Sequence, residues 1–187
     1  FSANRNADWE LDFVESDIFR VDVDSGEITR LSDRDGPDRD PVVSPDGSLI
    51  AWRGYDDEVQ TYQVDRLYVM EIDGGGKREL LRDLDRSVSG LAWNSEGDGV
   101  YFQYADQGVT RIGYTTLAGK FRVMAENLGG TVIGRPYVRG SFSVSGEGRI
   151  AYTRATASRP ADIAVVSWLG GAPIPVTQLN EDLLADR

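Results

Sequence analysis

The residues best equipped for chemistry in this chain are carboxylates. Asp33, Asp35, Asp38 and Asp40 are interleaved with Arg34 and Arg39 in "SDRDGPDRD", and Asp56-Asp57-Glu58 form a second acidic run. Carboxylates at that density suggest calcium. An EF-hand, however, needs a carboxylate just before its Gly and a Glu six residues after it, and the order is not met. Turn-forming Asp with solvated ion pairs is the expected reading of the first run, and a solvated loop that of the second. No metal site is expected.

Two other stretches imitate catalytic motifs and fail. "DGGGK" (Asp73–Lys77) lacks the longer spacing and following helix of a phosphate loop. "SFSVSGEG" centres on Ser143, but Ser141 and Ser145 occupy the glycine positions of a nucleophile elbow, so it reads as strand and turn. The chain also has 0 Cys and 0 His. A Ser-His-Asp triad cannot be completed from these residues, and thiolate nucleophiles and imidazole or thiolate metal cages are excluded. The expected catalytic residues are none, and no cofactor is expected.

What then positions the carboxylates? "PVVSPDGSLIAW" (41–52), "LAWNSEGDGVYF" (91–102) and "FSVSGEGRIAYT" (142–153) repeat one pattern, with Gly47, Gly97 and Gly148 at intervals of about fifty residues. A second pattern runs out of phase with it: "DIFRVDVDSGEITRL", "RLYVMEIDGGGKREL", "RIGYTTLAGKFRVMA" and "DIAVVSWLGGAPIPV", from Asp17, Arg66, Arg111 and Asp162. Each is an apolar run, a Gly-containing turn and a second run, which is a hairpin. Tyr68, Met70 and Ile72 alternate with Leu67, Val69 and Glu71 at the period of a strand. Helices are not expected, because the runs are short, β-branched and interrupted by Gly and Pro.

Four short strands per unit predict an all-β fold, a β-propeller of four-stranded antiparallel blades. Apolar residues on both faces of a run, as in Ile163, Ala164, Val165 and Val166, fit sheets covered on both sides. The blades are expected near 1–32, 41–82, 91–127 and 136–178. The first lacks its inner strand, so the propeller is partial, about three and a half blades. Closed rings need roughly four to eight. Either the missing blades belong to a parent protein, or two copies pair as a homodimer that closes the ring. The start at Phe1-Ser2-Ala3-Asn4-Arg5 lacks Met and reads as a cut inside a longer protein.

The residues "GPDRDPVVSPDGSLIAW" followed by "RLYVMEIDGGGKREL" resemble the blade motif of Tol-type propellers. They are most similar to the N-terminal propeller of prolyl oligopeptidase-family serine peptidases, in the acylaminoacyl-peptidase and dipeptidyl-peptidase-like branch. "QLNEDLLADR" resembles the segment that leaves the last blade for an α/β-hydrolase domain. The resemblance implies a non-catalytic partial propeller, 1–178, the C-terminal half of that N-terminal propeller, and a linker, 179–187, toward that partner domain. Its role would be to gate the access of peptide substrate. No catalytic residue carries over, and the paired glutamates that anchor an amino terminus in dipeptidyl peptidases are not matched.

Strand alternation puts the "SPDG" turns and the glycines Gly26, Gly75, Gly119 and Gly171 at one face, and the blade-to-blade and second-to-third-strand loops at the other. The second face, with loops 32–40, 54–65, 82–87, 103–108 and 154–161, is the expected peptide-contacting face. Its candidates are Arg39, Tyr55, Asp57, Glu58, Tyr62, Tyr104, Arg135 and Arg154. Arg could pair with a carboxylate, an acidic side chain with an ammonium group, and Tyr could pack a side chain. Trp52, Trp93 and Trp168 are expected to pack between blades.

The formal charge of −11 repels phosphate backbones and anionic lipid, so neither nucleic acid nor membrane is an expected partner. No apolar run reaches the ~18 residues of a transmembrane helix. Two other function classes compete with the peptidase reading. One is a Tol-type periplasmic propeller acting as a protein-binding scaffold. The other is a stand-alone propeller enzyme using carboxylates, against which the missing His and the absence of a convincing acid pair both count.

Overall fold

The structure is a computed structural model that describes residues 1–132, 139–179 and 181–184. The described residues form β-strands and one helical turn, and they divide into two compact units, Phe1–Trp93 and Asn94–Arg187.

The first unit opens with a three-stranded antiparallel sheet of β1 (Ser2–Ala3), β2 (Asp17–Val21) and β3 (Ile28–Arg30). A four-stranded antiparallel meander follows, of β4 (Asp38–Val43), β5 (Leu49–Gly54), β6 (Arg66–Glu71) and β7 (Arg78–Glu79), and β8 (Val88–Trp93) closes the unit. The two sheets meet through Ile18 and Leu31 on one side and Ile50, Trp52 and Met70 on the other, all at most 4% exposed. Burying each such side chain contributes about 1.5–3 kcal/mol, so sheet-to-sheet packing outweighs any single turn. The opposite face of the meander carries buried Ala51, Leu67 and Val69, and β8 packs against β4 and β5. The sheet is covered on both sides, which is why its strands are apolar at successive positions.

The second unit contains β9 (Gly99–Asp106), β10 (Val109–Thr116) and β11 (Phe121–Glu126). After them come β12 (Phe142–Val144), β13 (Ile150–Thr156), β14 (Arg159–Val166) and β15 (Ile174–Pro175), then one turn of helix, α1 (Glu181–Leu184). Arg159 pairs with Glu181 at 2.6 Å. Its core includes Val100, Phe102, Ile112, Leu128, Ile150 and Tyr152. Gly113 is required beneath the aromatic layer, because a Cβ there would stand 2.7 Å from the Phe102 ring and 2.9 Å from the Phe121 ring.

The three repeat turns share one construction. Gly47, Gly97 and Gly148 have φ of +75°, +73° and +74°, the left-handed region in which glycine costs least. In each turn the first residue's side chain accepts from the returning strand. Leu49 N donates to Ser44 Oγ at 2.9 Å, Gly99 N to Asn94 Oδ1 at 3.1 Å and Arg149 N to Ser145 Oγ at 3.0 Å. Ser143 lies in β12 and Ser145 begins the turn. Each sheet therefore is a blade, and the described residues fold as a β-propeller built of antiparallel blades.

Four local expectations need correction. Loops were expected at 103–108 and 154–161, but β9 and β10 run on to a two-residue turn at Gln107 and Gly108 (φ +49° and +83°). Such a turn matches the twist of the strands it joins. β13 and β14 likewise extend to a short turn between Thr156 and Arg159. Strand β4 begins at Asp38 rather than Pro41, because Asp40, at φ +53°, makes a bulge that accommodates Pro41. Trp52 packs between sheets, and Trp93 Nε1 bridges β8 to the Val42 carbonyl at 2.9 Å. Trp168 is instead 50% exposed.

Candidate functional site

The meander β4–β7 brings three connections to one end: 32–37, 55–65 and 80–87. Beneath them lies a buried polar stack. Asp38 is fully buried, and its Oδ1 accepts from Trp52 Nε1 at 2.8 Å and from Arg34 Nη2 in an ion pair. The Arg34 guanidinium lies over the Tyr68 ring, 4.1 Å from its centroid, and Tyr68 stacks on Trp52 at 5.4 Å. Burial opposes the Arg34 charge, but Asp38 and its other partners outweigh that and hold its pKa above the usual value. Burial pushes the Tyr68 phenol up. Gly54 leaves room for this stack, since a Cβ there would overlap the Pro37 carbonyl and lie 2.7 Å from Asp38 Oδ1. The expectation that Asp33 to Asp40 form solvated pairs thus fails at Asp38, which is sealed into the core. It holds at Asp33, which pairs with Lys77 at 2.9 Å. Among the described residues no group of three or more acidic side chains is placed to hold a metal.

Above the stack is an open cleft of about 430 Å³, lined among others by Tyr55, Glu58, Tyr62, Arg66, Tyr68 and Glu79. Arg66 is committed to the backbone, donating to the carbonyls of Arg82 and Leu84 at 3.2 and 3.0 Å. Loop 55–65 is held by its own hydrogen bonds. Asp57 Oδ1 accepts from Gln63 Nε2 at 2.7 Å and Val59 N at 2.8 Å, which lowers its pKa in that order. Asp57 N donates to the Asp35 carbonyl at 2.9 Å. Beside the loop, Arg53 joins Asp40 and Asp65, each at 2.6 Å. The cleft offers carboxylates, phenol rings and a fixed guanidinium.

The structure brings Tyr55, Glu58 and Tyr62 together on this cleft. Asp57, next to them in sequence, staples the loop. Arg39 lies on β4 opposite Arg53 and donates to the Val14 carbonyl at 3.3 Å. In the second unit Tyr104 is only 4% exposed, in β9, with its ring 5.8 Å from Phe102 and 5.8 Å from Phe121, so the surface contact expected of it is replaced by a core position. Arg154 is exposed on β13 and borders a cleft of about 360 Å³ with Glu126 and Asn127. Arg135 lies outside the described residues. Sequence reasoning missed Arg34, Tyr68 and Glu79. Tyr68 was legible as a strand residue, but nothing in one strand's sequence tells which end of the sheet its phenol reaches.

No family model matches the chain. It is similar to dipeptidyl-peptidase 5 of Porphyromonas gingivalis, 27% identical over 171 residues, which covers 90% of this chain and 24% of that protein. The chain thus spans about a quarter of the length of the curated relative it matches. Two of the solved structures that share the fold illustrate the likeness. The β-propeller domain of the Trilobed protease from Pyrococcus furiosus superposes with a TM-score of 0.61 and 21% identity, over 91% of this chain and 46% of that one. TolB from Acinetobacter baumannii gives 0.63 and 15%, over 95% and 40%. The fold is that of a β-propeller. The chain shares that fold with the propeller domain of the Trilobed protease and with TolB, and its sequence is similar to part of a dipeptidyl peptidase.

Proposed function

We propose that this chain is non-catalytic and belongs to a serine peptidase, where it controls which peptides reach a hydrolase domain. The observation that carries this is the match of 90% of the chain to about a quarter of a dipeptidyl peptidase, in a sequence with no His and no Cys. The cleft at Tyr55, Glu58 and Tyr62 supports a direct contact with peptide, its carboxylate suited to an ammonium group and its phenols to an apolar side chain. The test compares the 187-residue chain with the protein encoded by its full reading frame, on dipeptidyl and acyl-peptidyl chromogenic substrates. The chain alone should release no chromophore and the full protein should. In the full protein Glu58→Gln with Tyr62→Ala should raise KM several-fold and leave kcat nearly unchanged. Turnover by the isolated chain would overturn the reading.

The last sheet supports a companion proposal. On β14 Ala164 and Val166 are buried, whereas Ile163 on the other face is 36% exposed, beside Ile174 at 68% and Val176 at 60%. A strand face that apolar needs a cover. The occupant we favour is a neighbouring blade of the same longer protein. If the isolated chain proves dimeric by light scattering and the full-length protein monomeric, the face is being covered by a second copy only for want of that blade.

A TolB-like scaffold is the second reading, favoured by the superposition on TolB over 95% of this chain. A reading frame that ends without a G-x-S-x-G segment downstream would select it.

A further inference from the structure

The second unit carries a cleft that gating does not use. It measures about 420 Å³ and opens where the turns 94–99 and 145–149 lie side by side, joined by a bond from Ser95 Oγ to the Gly146 carbonyl at 2.7 Å. Its walls are aromatic. Tyr101 and Tyr114 sit with centroids 4.7 Å apart, buried Met124 lies behind them, and the half-exposed indole of Trp168 forms the outer wall.

Two features keep this slot open. Gly148 has no side chain to fill it: a Cβ would stand 2.8 Å from Trp168 Cβ and 3.5 Å from the Tyr101 hydroxyl. Arg122 holds the outer wall, donating from Nη2 to the Trp168 carbonyl at 2.5 Å with its guanidinium 5.7 Å from the indole centroid. That cation is engaged with the wall. The other charges lining the slot, Glu96, Asp98 and Glu147, are all negative. Asp98 accepts from Asn94 Nδ2 at 2.6 Å and from the Tyr114 hydroxyl at 3.4 Å, which fixes it at the edge of the slot. Burial first, and then Asp98, push the Tyr114 phenol up to about 12, so it remains a neutral donor.

From this geometry we infer that the Tyr101–Tyr114–Trp168 slot binds an apolar group carrying an ammonium, an arylalkyl- or alkylammonium, with its ring between the aromatic walls and its cation against Asp98. The electron-rich faces of Tyr and Trp attract a cation as the carboxylate does, and the slot excludes an anion of the same shape. The chemistry is shared by a free amine and by the amino terminus or Lys side chain of a peptide.

Isothermal titration of the full chain at pH 7 tests this with three probes that share a phenethyl skeleton: 2-phenylethylammonium, 2-phenylethanol and 3-phenylpropionate. The ammonium should bind saturably in the millimolar range, the alcohol at least fivefold more weakly and the carboxylate not at all. Trp168→Ala should abolish binding and Asp98→Asn weaken it about fivefold, with circular dichroism unchanged. Both side chains are exposed enough for the fold to survive their loss. A phenylalanyl-glycine amide, titrated beside its N-acetylated form, assigns the source. Tighter binding than the free amine, lost on acetylation, marks a peptide amino terminus, and weaker binding marks a small amine. Absence of saturation by the ammonium, equal binding of all three probes, or variants that bind like the parent would each overturn the inference. None of these readouts depends on a hydrolase domain.

Discussion

Removing the Asp38 carboxylate should unfold the first unit more than any surface change. Asp38 is fully buried, and it accepts from both Arg34 and the Trp52 indole. In Asp38→Ala the indole N–H is left without its acceptor, a loss of about 1–3 kcal/mol. Arg34, whose side chain is 18% exposed, is left with Asp56 at 3.4 Å, itself 73% exposed and therefore a weak partner. Breaking a buried pair by deleting one member costs about 3–5 kcal/mol, and the indole term belongs within that figure. Asp38→Asn keeps an acceptor for the indole and should lose less, about 1–3 kcal/mol. Arg34→Met combined with Asp38→Asn should lose less than the two single changes summed, by about 1–3 kcal/mol, since neither partner then remains charged. Urea unfolding followed by tryptophan fluorescence measures the parent, Asp38→Ala, Asp38→Asn, Arg34→Met and the double variant. Asp38→Ala within 1 kcal/mol of the parent, or strict additivity in the cycle, would refute the view that this pair holds Arg34 over Tyr68 beneath the cleft.

Three further outcomes follow from named contacts. Gly54→Ala drives a methyl into the Pro37 carbonyl and the Asp38 carboxylate, and overpacking of this kind costs about 1–3 kcal/mol. A midpoint in urea equal to the parent's would contradict the close approach. Asp46 accepts from Ser44 Oγ at 2.6 Å and Ser48 Oγ at 2.7 Å, and its carboxyl is held down to about 2. Because the folded value is the lower one, the stability it contributes is present above the ordinary carboxylate range and disappears as pH falls toward 2. Carboxyl NMR titration should find the low midpoint, and Ser44→Ala with Ser48→Ala should return it toward 4. At the other end of the scale Tyr114, pushed up to about 12, should be among the last phenols to ionise in an alkaline absorbance titration. Tyr114→Phe should remove that late step, and a step that persists would assign the shift elsewhere.

The strand pattern was open to inspection in the sequence because it is local. Alternation in 66–71, the hairpin glycines and the recurrence of Gly47, Gly97 and Gly148 each state a backbone preference within a few residues. The folded turns satisfy these preferences at nearly the same φ. Tyr55, Glu58 and Tyr62 were legible as a group for the same reason, being near neighbours on one loop. Tyr104 was not, since a loop and an extended hairpin differ only in whether two strands continue to pair, which Gln107 and Gly108 decide together with the partner strand.

What the residues determine alone is therefore chemical capability and local shape. Without His or Cys, a complete catalytic triad is out of reach, and period-two runs punctuated by Gly make antiparallel blades. Tertiary structure decided which charges lie inside. Asp33 and Asp38 have the same side chain five positions apart, yet one pairs with Lys77 at the surface and the other is sealed under Trp52. Burial depends on what neighbouring strands bring over a residue. That is a property of the packed sheets, and no short stretch of sequence contains it.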